Sequence, residues 1–196
     1  YRPISLLPIL SKVFETLFLD RLHPIISNSN LIPNHQFGFR KHHSTIQQIH
    51  RVTNKILTDF DNKNFCVGVF LDISKAFDQV WHEGLLHKLK TMLPNNFYLV
   101  LQSYIKDRKF FVKYNGETSN LYNICAGIPQ GSVLGPILYL LFTADIPTPI
   151  NQNMMVATFA DDTVILSSDK NIAIATKKLQ DTVNCIHNWF QKWNLS

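Results

Sequence analysis

Cysteine is scarce in this sequence, and its pattern excludes a disulfide-stabilised scaffold. The 196 residues contain 3 cysteines, an odd number with no CxxC spacing among them. A small secreted scaffold needs cysteines that can pair. Each cysteine lies in an apolar stretch, so we predict buried free thiols in a reducing compartment at Cys66, Cys125 and Cys185.

Long apolar runs are also absent. No segment reaches the roughly 18 consecutive apolar residues that predict a membrane-spanning helix, and Tyr1–Pro3 does not resemble the start of a signal peptide. These absences predict an intracellular protein, not a secreted one, without a membrane partner. The sequence does not begin with Met and ends within a predicted helix, so we expect it to be part of a longer protein.

Concentrated charge of one sign is missing as well. Lys and Arg total 19 against 14 Asp and Glu, a net charge of +5, and no run of five basic residues occurs. Charge alone therefore favours a polyanionic partner only weakly. Apolar residues make up 45% and charged residues 17% of the sequence, which predicts a globular chain of one large domain or two small lobes.

Two adjacent aspartates, Asp161 and Asp162, lie between the apolar runs Met154–Thr158 and Val164–Leu166. Both runs are short and rich in β-forming residues, so they predict a hairpin with the aspartates at its bend. Adjacent carboxylates repel each other at a tight turn, and a divalent cation relieves that repulsion. A solvated turn is the alternative interpretation, because Asp is common in turns.

A third acid, Asp72, follows the continuous apolar run Phe65–Leu71. Such a run predicts a strand that is buried on both faces and presents the carboxylate at its C-terminal edge. If the fold brings this edge beside the aspartate hairpin, three carboxylates surround one point. That arrangement suits two Mg²⁺ ions about 4 Å apart and predicts phosphoryl or nucleotidyl transfer.

Apolar periodicity predicts two helices in the first third of the chain. Ser11–Leu22 is amphipathic, with Ser11 as its cap and Pro24 as its end. Ser44 opens a longer helix, and Gln47 three residues later completes a capping box. The apolar spacing of the longer helix predicts one packed face, formed by Ile46, Ile49, Thr53, Ile56 and Phe60.

Helices and hairpins alternate irregularly in the remainder, which predicts an α+β class. We predict a helix ended by Pro94, a hairpin around its turn residues, a buried helix from about Gly131 and a final amphipathic helix that reaches the C-terminus. The segments are, in that order, Leu85–Leu93, Asn115–Gly116, Pro129–Phe142 and Ile172–Trp193.

Five motifs along the chain, taken in order, indicate a resemblance to a known protein family. They closely resemble the motif set of reverse transcriptases, and most of all that of the jockey-like group of non-LTR (LINE-type) retrotransposons. The resemblance spans almost the whole chain. The motifs are Tyr1–Ser5, Gln36–Arg40, Ser74–His82, Gly127–Pro136 and Phe159–Asp162.

The resemblance implies the fingers and palm of a right-hand polymerase, with an antiparallel sheet packed on helices. It assigns residues 1–64 to part of the fingers and residues 65–196 to the palm, and it places the thumb after Ser196. It also implies that Asp72 and Asp161 bind two Mg²⁺ ions, with Mn²⁺ as an alternative, and that Asp162 completes the acidic pair. Because consecutive strand residues face opposite ways, we expect Asp162 to be the weaker ligand.

Further residues match positions that bind the incoming nucleotide in this family. Arg2 is expected to hold the triphosphate, since a planar guanidinium binds phosphate bidentately. Phe77 is expected to lie under the sugar as a steric gate against a 2′-hydroxyl, with core packing as the alternative. Lys75 faces phosphate or is a surface lysine.

The last two matches concern the template as well as the nucleotide. The resemblance implies that Gln130 and Gly131 line nucleotide and template, with a helix-start role as the alternative for Gly131. It implies that Arg40 contacts template or triphosphate, with steering of the phosphate backbone as the alternative.

The implied activity is that of an RNA-directed DNA polymerase acting in retrotransposition. Its partners would be an RNA template, a DNA primer and dNTPs, in a ribonucleoprotein of the nucleus or cytoplasm; the sequence predicts no oligomeric state. Without a thumb, residues 1–196 alone are expected to be inactive or weakly active. Two alternatives stay open, a catalytically silent nucleic-acid-binding remnant of a decayed element and a group II intron-type maturase.

Overall fold

The structure is a computed structural model that describes residues 5, 7–149 and 153–195. The chain divides into two compact units. Unit 1 combines the described parts of residues 1–31 and 75–142, and unit 2 combines those of residues 32–74 and 143–196. The predicted boundary between fingers and palm at residues 64 and 65 separates functional regions and stays a prediction.

The described residues form helices and antiparallel strands, so the predicted α+β class is confirmed. The helices are α1 (Ile9–Asn28), α2 (Thr45–Asp61), α3 (His82–Met92), α4 (Asn95–Ile105), α5 (Gly135–Thr143) and α6 (Ile172–Lys192). The strands are β1 (Phe65–Leu71), β2 (Lys109–Phe110), β3 (Lys113–Tyr114), β4 (Glu117–Thr118), β5 (Tyr122–Asn123), β6 (Met154–Phe159) and β7 (Asp162–Asp169).

A three-stranded antiparallel sheet is the centre of unit 2. Its order is β1-β7-β6, so the strand that follows the aspartates lies in the middle. β6 and β7 form the predicted hairpin, and Phe159 pairs with Asp162 across the turn. The helices α2 and α6 both pack against this sheet. The hairpin prediction is therefore confirmed, with Asp162 as the first residue of its second strand.

Strand β1 has the predicted bounds, but the prediction that it is buried on both faces is wrong. Phe65 is 51% exposed and Phe70 is 77% exposed. Among the described residues, β1 is an outer strand of the sheet and pairs along one edge, with β7. An apolar run can therefore mark an exposed outer strand as well as a central one.

Helix α2 begins as predicted but buries a different face. Ser44 accepts from the backbone N–H of Gln47, and the Gln47 side chain accepts from the backbone N–H of Ser44, so the capping box is confirmed. The predicted packed face is wrong, because Ile46, Ile49 and Phe60 are all more than half exposed. The buried residues are polar, Gln48 and Asp59.

Hydrogen bonds explain why α2 turns polar side chains inward. Gln48 Nε2 donates to the carbonyl of Thr158 on β6 at 2.9 Å. Lys55 Nζ binds both Asp59 on the same helix, at 2.7 Å, and the hydroxyl of Ser168 on β7, at 2.9 Å. These bonds join the helix to the sheet. Because polar side chains form them, the spacing of apolar residues does not predict them.

Helix α1 in unit 1 is longer than predicted. Pro24 lies inside it and does not end it, and Ser11 is not its cap, since Pro8 precedes the first turn and Ser11 Oγ donates to Glu15. A proline removes one backbone hydrogen bond, and here the buried Leu22 and Ile26 on either side hold the helix together. The predicted end at Pro24 is therefore wrong.

The rest of unit 1 surrounds a buried helix. α3 ends before Pro94 as predicted, and α4, which the sequence did not predict, begins directly after it. α5 is almost entirely buried, as predicted, but it starts at Gly135. Gly131 has a φ of +91° in the preceding loop, so its interpretation as a helix start is wrong.

The predicted hairpin of unit 1 has the predicted turn and shorter strands. Asn115 and Gly116 both have positive φ between β3 and β4, as a tight two-residue turn requires. β2 and β5 pair separately further from the turn. All four strands are exposed.

The cysteines and the helix lengths were also predicted from the sequence. The cysteines are free as predicted, but Cys125 and Cys185 are exposed and Cys66 is half-buried, so their predicted burial is wrong. Cys125 follows the exposed β5, and Cys185 lies outside the buried face of α6. Among the described residues no helix is long and apolar enough to cross a membrane.

Candidate active site

The three predicted acids lie at one edge of the sheet in unit 2. The turn between β6 and β7 consists of Ala160 and Asp161, and Asp162 begins β7. On the other side of β7, Thr163 pairs with Leu71, the last residue of β1. The next step of this antiparallel register brings Asp72 alongside Asp162. The fold therefore joins acids that the sequence separates.

Electrostatics mark Asp162 as the carboxylate that its surroundings affect. The pKa of Asp162 is raised, first by desolvation and then by the negative charges of Asp161 and Asp72. Like charges close together disfavour ionisation, and a cation at the same point reverses that effect. The edge of the sheet is thus a site of concentrated negative charge.

These carboxylates suit Mg²⁺ chemically, since a hard cation prefers carboxylate oxygens and needs only one or two of them when phosphates complete its coordination. Among the described residues, no three His, Cys, Asp or Glu side chains are arranged as a ready-made metal cluster. The donor set and its mutual repulsion fit the metal, while the assignment of Asp72, Asp161 and Asp162 as ligands stays a prediction.

Arg40 lies in the loop beside this edge and bonds to the loop itself. Its Nη1 donates to the carbonyls of Pro33 and Gln36, each at 3.1 Å. These bonds fix the loop Gln36–Arg40 in unit 2. A contact of Arg40 with template or triphosphate stays a prediction.

An apolar groove that the sequence did not predict lies between α2 and the sheet. Its volume is about 280 Å³, and Asp162 lies among its lining residues. Ile49 and Phe70, both largely exposed, belong to its walls. The apolar face of α2 was the sequence signal for this groove. Apolar periodicity alone, however, predicts that such a face is buried.

Of the residues predicted to bind the nucleotide, those that the structure describes belong to unit 1, and two of them share a cavity. Lys75 and Gln130 line a cavity of about 470 Å³ together with Asp78 and Arg108. Gln130 Nε2 donates to Asp78 Oδ1 at 3.0 Å, which orients the amide. The two cations and the amide give this cavity the chemistry of a phosphate or nucleotide site.

Backbone pairing holds this cavity together. The N–H of Gly127 donates to the carbonyl of Val80 at 2.8 Å, and the N–H of Ile128 donates to that of Phe77 at 2.9 Å. Gly127 has a φ of +88°, and a Cβ on it would lie 3.0 Å from the carbonyl oxygen of Asp78. A glycine is therefore required where the loop passes Asp78.

The remaining predicted residues have distinct surroundings. Phe77 is half-buried and stacks on the buried Tyr139, with ring centroids 5.0 Å apart and planes inclined by 18°. Gly131 is exposed in its loop. Arg2 lies outside the described residues.

Sequence reasoning missed Glu15, a fully buried acid on α1. Its Oε2 accepts from the backbone N–H of Val133 at 2.7 Å and of Leu134 at 3.1 Å, directly before α5. Glu15 therefore holds the segment that connects the Gln130 loop to the buried helix. A single acid in an amphipathic pattern carries no signal for this contact.

Comparison with known proteins agrees with this architecture. A family model described as "Reverse transcriptase (RNA-dependent DNA polymerase)" matches residues 1–196. The chain is 46% identical over its whole length to the RNA-directed DNA polymerase from mobile element jockey of Drosophila melanogaster. It is 45% identical to the probable RNA-directed DNA polymerase from transposon BS of the same organism. It spans 22% of the length of each relative.

Solved structures show the same fold. The chain matches apo telomerase from Candida tropicalis, truncated from its C-terminal domain, with a TM-score of 0.63 at 16% identity, covering 92% of this chain and 37% of that chain. Telomerase from the same organism in complex with a fragment of telomeric RNA matches with a TM-score of 0.62 at 15% identity, covering 95% and 32%. The predicted right-hand polymerase fold is therefore confirmed. Together with the family match over all 196 residues, these findings establish that the chain belongs to the reverse transcriptase family.

Proposed function

We propose that this chain carries the polymerising site of an RNA-directed DNA polymerase of a non-LTR retrotransposon. The observation that carries the proposal is the convergence of Asp72, Asp161 and Asp162 at one edge of the sheet, where desolvation and then the charges of Asp161 and Asp72 raise the pKa of Asp162. Phosphoryl transfer needs such a concentration of negative charge to hold the cations that bind substrate phosphates.

In this proposal, Asp72 and Asp161 hold two Mg²⁺ ions, and Asp162 supports them. Divalent ions held by these carboxylates would activate a primer 3′-hydroxyl and neutralise charge on the phosphates. The turn of the β6–β7 hairpin and the end of β1 present the carboxylates at a fixed edge. Their positions are thus set by the register of the sheet, which stable backbone pairing maintains.

The cavity of unit 1 supplies the candidate contacts for the nucleotide. The Lys75 ammonium provides positive charge for phosphates, and the Gln130 amide, oriented by Asp78, provides hydrogen bonds. Phe77 on Tyr139 provides a rigid aromatic surface for the sugar. Arg2 is proposed to hold the triphosphate, Arg40 to contact template or triphosphate, and Gly131 to allow close approach of the backbone.

The proposed partners are an RNA template, a DNA primer and dNTPs, and the proposed location is an intracellular ribonucleoprotein in the nucleus or cytoplasm. Similarity to a telomerase solved with RNA supports an RNA partner. The relatives from mobile elements, at 46% and 45% identity, favour a retrotransposon enzyme over a maturase. Intact acids at all three positions favour an active site over a silent remnant.

Primer extension tests this proposal in the complete reverse transcriptase that contains the chain. Asp72→Asn and Asp161→Asn should each lower the extension rate by about 10³-fold or more, because loss of a metal ligand removes several kcal/mol of transition-state stabilisation. Affinity for primer–template should be unchanged or higher, since removing a negative charge cannot weaken attraction to phosphate.

Asp181→Asn is the matched control, because it makes the same change in charge at an exposed position of α6. It should leave extension near the wild-type rate. Extension within about tenfold of wild type by Asp161→Asn, with the protein folded, contradicts the proposed site.

A further inference from the structure

Gln36 joins a loop to the outer edge of the sheet in unit 2. Residues 35–37 run parallel to β6, and Gln36 forms a bridge with Thr158. The N–H of Phe37 donates to the carbonyl of Thr158 at 2.9 Å, and the N–H of Thr158 donates to that of His35 at 3.0 Å. The side chain of Gln36 is thereby buried, with 5% of its surface exposed.

The Gln36 amide bonds to the backbone of the turn residue before Asp161. Its Oε1 accepts from the N–H of Ala160 at 2.9 Å, and its Nε2 donates to the carbonyl of Ala160 at 3.0 Å. Oε1 also accepts from the N–H of Gly38 at 2.7 Å. A single side chain therefore engages both polar backbone groups of Ala160.

Ala160 needs such support because its backbone is left-handed, with a φ of +58°. A residue with a Cβ adopts this conformation at a cost, so an unsupported turn would sample other conformations. Gly38 lies so close that a Cβ there would be 2.8 Å from the Cα of Ala160 and would overlap its nitrogen. The loop and the turn thus form one closely fitted contact.

We propose that Gln36 is a positioning residue for polymerisation, which fixes the Ala160–Asp161 turn and through it the Asp161 carboxylate. Gln36 acts through the backbone of Ala160. The inference rests on the proposed function of Asp161, although the contact itself is independent of any reaction. The inference gives Gln36, the first residue of the loop Gln36–Arg40, a specific structural role.

Three substitutions in the complete reverse transcriptase separate the parts of this contact. Gln36→Leu removes all three hydrogen bonds at similar size. Gln36→Glu keeps an acceptor for the N–H groups but loses the donor to the carbonyl of Ala160 and adds a charge. Ala160→Gly, combined with Gln36→Leu, removes the cost of the left-handed conformation and should restore part of the lost function.

Gln48→Leu is the matched control. Gln48 is also a buried glutamine; it donates to the carbonyls of His35 and Thr158 at 2.8 and 2.9 Å and accepts from Arg51, so none of its hydrogen bonds goes to Ala160 or Asp161. Its loss should lower the melting temperature in the same way as Gln36→Leu. It should leave the turn in place.

Amide hydrogen exchange of the peptide that contains Ala160 and Asp161 is the first readout, measured without substrate. Gln36→Leu should accelerate exchange there by about 10- to 100-fold, and Gln48→Leu should not. The second readout is primer extension across Mg²⁺ concentrations. Gln36→Leu should lower kcat by about tenfold or more and raise the Mg²⁺ concentration for half-maximal rate, with the KM for dNTP little changed.

Each outcome decides the inference. Unchanged exchange in Gln36→Leu and Gln36→Glu, or equal effects of Gln36→Leu and Gln48→Leu on exchange and Mg²⁺ dependence, overturns it, because Gln36 would then only stabilise the edge. If Gln36→Leu does not fold, the same criteria apply to Gln36→Glu. Accelerated exchange together with an active Asp161→Asn enzyme would refute the proposed function while confirming the contact.

Discussion

At the scale of single residues, Phe77 combines a side-chain packing contact with a backbone bond to Ile128, which lines the cavity of unit 1. Its ring stacks on that of Tyr139, which is fully buried, and the residue itself is half-buried. Stacking fixes the plane of the ring, and a steric gate against a 2′-hydroxyl requires such a fixed surface. The two roles predicted from the sequence, steric gate and core packing, therefore both use the contact with Tyr139. Only the gate role affects which nucleotide is incorporated.

Substitution of Phe77 separates the gate from the packing contact. Phe77→Val in the complete enzyme should raise the ratio of rNTP to dNTP incorporation by about tenfold or more while DNA synthesis persists, because a smaller side chain admits the hydroxyl. Single-nucleotide incorporation with each substrate measures this ratio. A core phenylalanine would instead lose about 3–5 kcal/mol of stability on truncation to Ala and depress both substrates together. An unchanged ratio with a lower melting temperature identifies packing alone.

At the scale of elements, Glu15 links α1 to the start of α5. Glu15→Ala should lower the free energy of unfolding by about 2–3 kcal/mol, because the buried N–H groups of Val133 and Leu134 lose their acceptor. Glu15→Gln keeps an oxygen at the same place and should cost about half as much. Urea denaturation measures both changes. Equal losses in the two variants would show that the negative charge, and not the acceptor, matters.

The elements also show what the sequence can and cannot predict. β1, the aspartate hairpin and the α2 capping box follow from local patterns, since turn and cap residues act on their neighbours. The buried face of α2 does not, because Gln48 and Lys55 turn inward to bond with the sheet. Hydrogen bonds between distant segments leave no periodic pattern in the sequence.

Some residues of the candidate site are likewise predictable from the sequence, and others are not. The acids Asp72, Asp161 and Asp162 were predicted from strand ends and motifs, and the fold brings them to one edge. Gln36 and Glu15 were missed as supporting residues, because each acts on a backbone more than 100 positions away. A pattern of residue types identifies groups that bind ligands more readily than the groups that hold them in place.

At the scale of the whole molecule, one histidine makes stability depend on pH. The pKa of His35 is lowered to about 4 by burial and by the positive charges of Arg51 and Arg40. At pH 7 the ring is neutral in both folded and unfolded chains. Below the ordinary histidine pKa of about 6.5, His35 is protonated in the unfolded chain but stays neutral in the folded chain. The free energy of unfolding therefore falls as the pH decreases, until the pH reaches the pKa of His35 in the folded chain.

Denaturation at two pH values tests this behaviour. Between pH 7 and pH 5 the free energy of unfolding should fall by about 1–2 kcal/mol on account of His35, allowing for its partial contact with water. His35→Gln, which cannot be protonated, should reduce the pH dependence by that amount. Equal pH dependence in both proteins would show that the ring is solvated.

Iron-mediated cleavage tests directly whether Asp72 and the adjacent Asp161 and Asp162 share one cation site, as proposed. Fe²⁺ occupies sites built for Mg²⁺, and with ascorbate and peroxide it generates radicals that cut only the nearest backbone. We predict that the complete enzyme is cut at two segments, one around Asp72 and one around Asp161, that excess Mg²⁺ suppresses both cuts, and that Asp161→Asn abolishes both. Cleavage at one of these segments alone, or at both in Asp161→Asn, would contradict a shared metal site.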